Sequence, residues 1–349
     1  MGTLYQTLKS VVKGILMAEL PRIAITMGDP AGVGPEIIVK ALPREDISQV
    51  CRPIVVGDVG LLKAAAEGIG PRFFHGIEHP GDSSGGPDAI DVLPLSDLKA
   101  FVTPGKPTIK GGRAMVEYIL KAVELATSGE VSAMVTCPIN KELMNQAGYG
   151  FEGHTELIAH LTGTKDYVMM LAGEKLRVAL ATIHCPLRDV ADKISKELIV
   201  KTITITFHAL ERDFAIEKPR VAVAALNPHA GESGLFGRED MDIVQPAVKE
   251  ARDSGLSVEG PFPADTVFYH ALKGRCDAVV AMYHDQGLIP LKLLHFSDAV
   301  NLTLGLPIVR TSVDHGTAYD IAGRGVADPS SLIAAIKMAA RIIKARQKA

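Results

Sequence analysis

Arg220–His229 reads RVAVAALNPH, and two other stretches share its plan: Arg177–His184, RVALATIH, and Asp277–His284, DAVVAMYH. Each opens on a charged residue, runs through small and branched apolar side chains, and ends on a histidine. A short, almost unbroken apolar run predicts a strand buried on both faces, because a half-exposed strand would alternate with polar residues. Similar runs occur at Ile23–Met27, Ile54–Val56, Ala133–Thr136, Val168–Leu171 and Ile308–Thr311. Helical spacing lies between them, over Pro35–Leu42, Leu61–Glu67, Gly112–Thr127, Asp192–Glu211, Asp240–Asp253 and Ser331–Lys344. Strand–helix alternation of this kind predicts an α/β fold with mostly parallel sheets covered by helices on both faces. The stretch Gly76–Gly86, rich in Gly, Pro, Ser and Asp, predicts a surface loop.

The chain has 349 residues, more than one hydrophobic core usually supports, so two domains are expected. No long linker separates them, so they should be wound together, with the chain crossing more than once. Lys and Arg total 37 against 40 Asp and Glu, a net charge of −3. That balance argues against a nucleic-acid partner and against a polybasic membrane anchor. No apolar run reaches the ~18 residues that would cross a bilayer. The four cysteines, Cys51, Cys137, Cys185 and Cys276, show no CxxC spacing and read as reduced thiols of a cytoplasmic protein. Residues 1–20 carry Leu4, Leu8, Val11, Val12, Ile15 and Leu16 at helical spacing but no cleavage site. They read as an N-terminal extension, with Met17 as an alternative start.

His184, His229 and His284 are predicted at or just past the carboxyl ends of three buried strands. Open parallel sheets build their ligand sites at that edge. One such histidine would be unremarkable packing. Three at equivalent positions suit a divalent cation held by neutral imidazoles, with an open coordination position for chemistry. Asp285, Asn227 and Glu232 are candidate supports for those rings. His154, in GHTE, and His315, in DHGTA, sit beside glycines at turns and also read as placed. His75, His79, His160, His208, His270 and His295 read as surface or packing residues.

Gly28–Glu36, GDPAGVGPE, links the first strand to the first helix. Its glycines permit close backbone approach, and Pro35 fits a first helical turn. It is neither GxGxxG nor a Walker loop, and Asp29 and Glu36 would make a poor phosphate cradle, so a tight turn is the simpler reading. Lys292, Asn301 and Arg310 follow the third histidine. Arg310 ends the run PIVR, which predicts a charge emerging at a strand terminus. A guanidinium there suits bidentate capture of phosphate or carboxylate, and a surface ion pair would explain it equally well.

ITMGDPAGVGPE, FEGHTE, ATIHCPL, LNPHAGE, PADT, MYHDQG and VNLTLGLPIVRTSVDHGTAYDIAGRG together resemble the 4-hydroxythreonine-4-phosphate dehydrogenase (PdxA) family, across residues 21–346. The resemblance implies NAD-dependent oxidation of a secondary alcohol, then decarboxylation to 3-amino-2-oxopropyl phosphate, a precursor of pyridoxal phosphate. It implies a divalent metal, zinc or else magnesium or cobalt, on His184, His229 and His284. It implies substrate contacts at His154, Thr155, Lys292, Asn301 and Arg310, and a homodimer with the active site near the interface. Lys292, Asp265 and Asp285 are the candidate proton acceptors. The implied division is a cofactor-side domain, 21–148 plus 306–349, and a metal, substrate and dimerisation domain, 149–305, with the site in the cleft between them.

HGTAYDIAGRGVADP and Met27–Glu36 are more distantly similar to segments of isocitrate and isopropylmalate dehydrogenases. That similarity implies a nicotinamide cofactor against Gly28, Asp29, His315, Gly316, Thr317 and Asp320. Asp320, as a carboxylate for the ribose diol, would favour NAD over NADP. Cys137, in TCPINK, stands where Gly or Ala is expected, as a small filler or an oxidation-sensitive thiol. Related enzymes act on D-threonate or D-erythronate 4-phosphate, or on cyclic diols, and these motifs do not separate them. A metal-dependent hydrolase and a phospho-ligand binding protein are the readings from other classes.

Overall fold

The computed structural model describes residues 20–70, 72–83, 86 and 89–348. The extension expected over residues 1–20 therefore lies outside the described residues, except for Leu20. Twelve strands form one sheet: β1 Arg22–Thr26, β2 Arg52–Gly57, β3 Phe73–Gly76, β4 Ala89–Pro94, β5 Ala133–Thr136, β6 Val168–Ala172, β7 Arg177–Leu180, β8 Val221–Ala224, β9 Val258–Phe262, β10 Ala278–Ala281, β11 Val300–Leu304 and β12 Arg310–Ser312. Their order is β3-β4-β2-β1-β5-β12-β11-β6-β7-β10-β8-β9. β3 through β12 in this order run parallel, and so do β7, β10, β8 and β9.

Between the two parallel blocks, β11 runs antiparallel to β12 and to β6, and β6 runs antiparallel to β7. The sheet is mostly parallel, as expected, and chain length explains the antiparallel exceptions. A parallel return takes a crossover of a dozen or more residues. Only Gly173–Leu176 joins β6 to β7, and only Gly305–Val309 joins β11 to β12. Both pairs can only double back.

The apolar runs are buried on both faces as their composition requires. Val178, Leu180, Val279 and Ala281 face one core with Val267, Leu288 and Leu291 of the helices Ala264–Leu272 and His284–Leu294. Their neighbours Ala179, Ala278 and Val280 face the larger core with Ile199, Ile203 and Phe207 of the helix Lys196–Phe214. Strand side chains alternate faces, so one uninterrupted Val/Ala run supplies both cores.

Four strands, β3, β4, β9 and β11, stand where no strand is predicted from the sequence. The predicted helix Asp192–Glu211 is two helices, Val190–Lys193 and Lys196–Phe214. Ser195 separates them because its side chain accepts from Leu198 N at 3.1 Å, an N-cap that starts the second helix. The predicted helix Asp240–Asp253 opens as a π-helical turn, Asp240–Val244, before Gln245–Asp253. Of the predicted loop Gly76–Gly86, the described part includes a short 3-10 turn at Pro80–Asp82. Among the described residues no helix is long and apolar enough to cross a membrane.

Candidate active site

The ends of β7, β10 and β8 are laced together by two polar side chains. Thr182 Oγ1 donates to the Met282 carbonyl at 2.7 Å. Gln286 Oε1 accepts from Met282 N at 2.7 Å, and its Nε2 donates to the Ala225 carbonyl at 2.7 Å. Gly287 lets the helix His284–Leu294 lie directly on β7, since a Cβ there would stand 2.5 Å from Val178 Cγ1. The result is that His184 and His284 face each other, with ring centroids 5.8 Å apart. His284 Nδ1 lies 2.7 Å from Asp285 Oδ1, an orientation that leaves Nε2 available. Burial, with Lys141 and His284 nearby, holds His184 below the usual imidazole pKa, so the ring is neutral.

His229 does not join them. It sits on the turn after β8, where His229, Ala230, Gly231, Glu232 and Ser233 all take positive φ (53°, 54°, 79°, 44° and 57°). Asp240 holds the root of this turn, accepting from Leu226 N at 2.7 Å and Asn227 N at 2.9 Å. The His229 ring stands against Phe236, 6.2 Å between centroids. Among the described residues no group of three His, Cys, Asp or Glu is placed to hold a metal ion within one chain. The equivalent positions read from the sequence thus deliver two imidazoles to one point, not three.

A cavity of about 350 Å³ opens in front of His184 and His284. Its far wall is Arg310, which begins β12 rather than ending a strand. The guanidinium is turned inward and buried, not emergent, because β12 lies in the middle of the sheet. Nη1 donates to Thr303 Oγ1 at 3.1 Å and Nη2 to Thr136 Oγ1 at 2.8 Å, while Nε has no partner. Burial lowers its pKa to about 10, with Glu156 acting in the opposite sense. It remains a cation at neutral pH, hydrogen-bonded to two hydroxyls and to no carboxylate.

His154 and the buried Thr155 open the helix His154–Leu161 at the same cavity. His154 Nε2 is buried without a hydrogen-bond partner. Burial first, then Arg310 and Lys141, keep this ring far below its ordinary pKa and uncharged. Asn301, on β11, presents a buried Oδ1 that also lacks a partner. A buried polar atom without a partner costs about 1–3 kcal/mol, so three around one cavity mark a place where a ligand completes the bonds.

The proton-acceptor candidates separate. Lys292 is 3.2 Å from Asp314, whose carboxyl is raised by burial and drawn back by Lys292. Asp314 lines the cavity. Asp285 is committed to His284. Asp265 is exposed at the start of the helix Ala264–Leu272 and does not line the cavity. Lys141, Glu156 and Asp314 also line it and went unremarked in the sequence, although each stands inside or beside a quoted motif: TCPINK, GHTE and VDHG.

On the other side of β5, the residues expected at the cofactor are largely tying loops together. Gly28 has φ +73°, and a Cβ there would lie 2.3 Å from the Pro138 carbonyl. The buried Asp29 accepts from Ala31 N at 2.9 Å and from the Tyr319 hydroxyl, which itself accepts from Asn140 Nδ2 at 2.9 Å. Val33 N donates to the Thr317 carbonyl at 3.0 Å. Glu36 accepts from Ala327 N at 2.7 Å and Gly325 N at 3.2 Å, and Lys40 donates to Glu36 and to both carbonyls of that segment. Asp320 is exposed beside this junction, and the exposed His315 and Gly316 line the His184–His284 cavity. Cys137 is fully buried, its thiol pushed up by burial, in contact range of the space above Gly28 and Gly34, so it fills space.

The sequence model described as "Pyridoxal phosphate biosynthetic protein PdxA" matches residues 49–339. This chain belongs to the PdxA family. A 4-hydroxythreonine-4-phosphate dehydrogenase of Desulforapulum autotrophicum is 54% identical over 322 residues, 92% of this chain and 95% of that protein. A D-threonate 4-phosphate dehydrogenase of Cupriavidus necator is 45% identical over 329 residues, 94% and 98% of the two chains. The crystal structure of 4-hydroxythreonine-4-phosphate dehydrogenase from Klebsiella pneumoniae superimposes with a TM-score of 0.86 at 46% identity, over 93% of this chain and 99% of that one. The PdxA relatives are dehydrogenases over nearly their whole length, and this chain is an oxidoreductase of the same family.

Proposed function

We propose that the chain oxidises 4-phosphohydroxy-L-threonine with NAD and a divalent metal, releasing CO₂ and 3-amino-2-oxopropyl phosphate, in pyridoxal phosphate biosynthesis in the cytoplasm. The observation that carries the reading is the cavity itself. A buried guanidinium without a carboxylate partner and two orphaned polar atoms stand opposite the His184 and His284 rings. An anionic, hydroxyl-bearing substrate satisfies both ends. Its phosphate meets Arg310, His154 and the backbone N–H groups of the helix that His154 and Thr155 begin. Asn301 orients the middle of the substrate.

His184 and His284 fit a metal in donor type, with zinc suited to imidazole nitrogen. The histidines would hold a cation that would supply a Lewis acid for the substrate alcohol, and the His315–Asp320 loop, with Gly28 and Asp29, would hold NAD, which would supply a hydride acceptor. Asp285 holds the His284 tautomer. The Lys292–Asp314 pair takes the alcohol proton, since it alone of the candidates reaches the cavity without being spent on a ring. The cofactor side would be the domain 21–148 plus 306–349, and the metal side 149–305.

The third imidazole, His229, is best supplied by a second copy in a homodimer. Leu187, beside the His184–His284 pair, and Ile289, Leu293 and Phe296, along and just past the helix that His284 opens, are 62–84% exposed and offer apolar surface that a partner would cover. Mixing two inactive variants, His184→Ala and His229→Ala, tests this. In a mixed dimer one site then holds every ligand, so activity returns to about a quarter of wild type with random pairing. No recovery after demonstrated subunit exchange would place all ligands in one chain.

D-threonate 4-phosphate is the second substrate reading, favoured by the Cupriavidus necator relative. NADH formation by the metal-loaded protein with a panel of 4-phosphorylated hydroxy acids decides between them. Absence of NADH with every member would refute both.

A further inference from the structure

We propose that Lys141 supplies the second positive charge of the phosphate end of this cavity, and so makes the enzyme selective for phosphorylated over unphosphorylated hydroxy acids. The inference rests on the reading above that the substrate is phosphorylated. A phosphate monoester carries about −1.5 to −2 charges at neutral pH. Arg310 offers one, with Glu156 nearby to offset part of it. Lys292 is engaged by Asp314. Lys141 is the remaining cation on the cavity wall, and it forms no ion pair with a carboxylate among the described residues.

Its position on the chain has no structural explanation. Lys141 opens the helix Lys141–Gln146, directly after Asn140, whose side chain caps the helix by accepting from Leu143 N at 3.0 Å. A cation in a first helical turn opposes the helix dipole and is disfavoured there. Gly153 makes room for it: a Cβ at that position would lie 3.2 Å from Lys141 Cε, 3.7 Å from Nζ and 3.4 Å from Glu156 Oε2. The ammonium thus sits at the lip of the helix His154–Leu161, whose N–H groups already favour an anion. Lys141 and Arg310, from distant parts of the chain, line the same cavity as the His154 ring.

Lys141→Met and Lys141→Arg, made in the full chain, test the assignment. Lys141 is exposed to the cavity, so neither variant should unfold, and a thermal melt checks this. Calorimetry with inorganic phosphate, without metal or NAD, should show Lys141→Met binding about tenfold to a hundredfold more weakly and Lys141→Arg close to wild type. With metal and NAD, Lys141→Met should lose a similar factor in kcat/KM for the phosphorylated acid, chiefly through KM, and little for its unphosphorylated counterpart. Unchanged phosphate affinity, equal losses on both substrates, or no phosphate binding by the wild-type chain would each overturn the proposal. Should the wild type form no NADH with any phosphorylated acid, the functional reading fails by itself, and the phosphate calorimetry still decides Lys141.

Discussion

Arg310 shows how a single residue can be costly in the free protein and valuable in the complex. A buried cation with only hydroxyl acceptors and an idle Nε is a poor contributor to stability. Replacing such a charge by an apolar side chain of similar length is often neutral or stabilising. Arg310→Met should therefore melt at or above the wild-type temperature while losing roughly a hundredfold or more in kcat/KM, the scale of a lost bidentate charged contact. A variant that melts lower yet turns over normally would show that the guanidinium serves packing. Arg310→Lys should recover little, because one ammonium cannot reach both Thr303 and Thr136 in the plane of a fork.

Among the elements, the helix Gly34–Ala41 and the segment Gly325–Ala327 form a clamp. The buried Glu36 takes two backbone N–H groups of that segment, and Lys40, one turn later, takes two of its carbonyls. The pair answers polar backbone that no strand or helix would otherwise satisfy. It also sets the loop that begins at His315. Glu36→Ala leaves both N–H groups unpaired and Lys40 without its carboxylate, and should cost about 3 kcal/mol in denaturant unfolding while raising KM for NAD more than KM for the hydroxy acid. Equal rises would mean that the loop does not report to the cofactor. The quoted motifs GDPAGVGPE and DIAGRGVADP are thus two halves of one joint, which explains their composition without assigning every residue to a ligand.

For the molecule as a whole, stability against acid should depend on Asp213. It joins the end of the helix Lys196–Phe214 to the C-terminal helix Ser330–Arg346, accepting from Arg212 at 2.8 and 3.1 Å and from Arg346 at 2.7 and 3.2 Å. Burial pushes its carboxyl up, and the two guanidiniums more than reverse this, so its pKa lies below the usual value. A depressed carboxylate stabilises the fold above the unfolded-state pKa of about 3.9, and that contribution is lost as pH falls through the lower folded value. Asp213→Asn should be less stable by about 3 kcal/mol at neutral pH. The gap to wild type should close steadily below pH about 4. A gap independent of pH would mean that shape, not charge, makes the contact.

The α/β class, eight of the twelve strands and the motif residues were readable from residue order, because burial on both faces demands continuous Val/Ala runs. Strands β3 and β9 were not, since they are edge strands with mixed exposure, and β11 was hidden because polar Asn301, which lines the cavity, and Thr303, which accepts from Arg310, interrupt its apolar run. The helix His284–Leu294 was hidden as well. Gly287 and Pro290 are poor helix residues, and only close packing on β7 holds that segment in place. Residue order by itself determined which side chains can do chemistry: three histidines, Arg310, Asn301 and the glycine turns. Only the tertiary structure decided that two of those histidines meet and the third stays on its own turn, that Arg310 points inward, and that Lys141 and Asp314 join them. Strand pairing and helix packing bring together atoms more than a hundred residues apart, and no local preference of the chain encodes that distance.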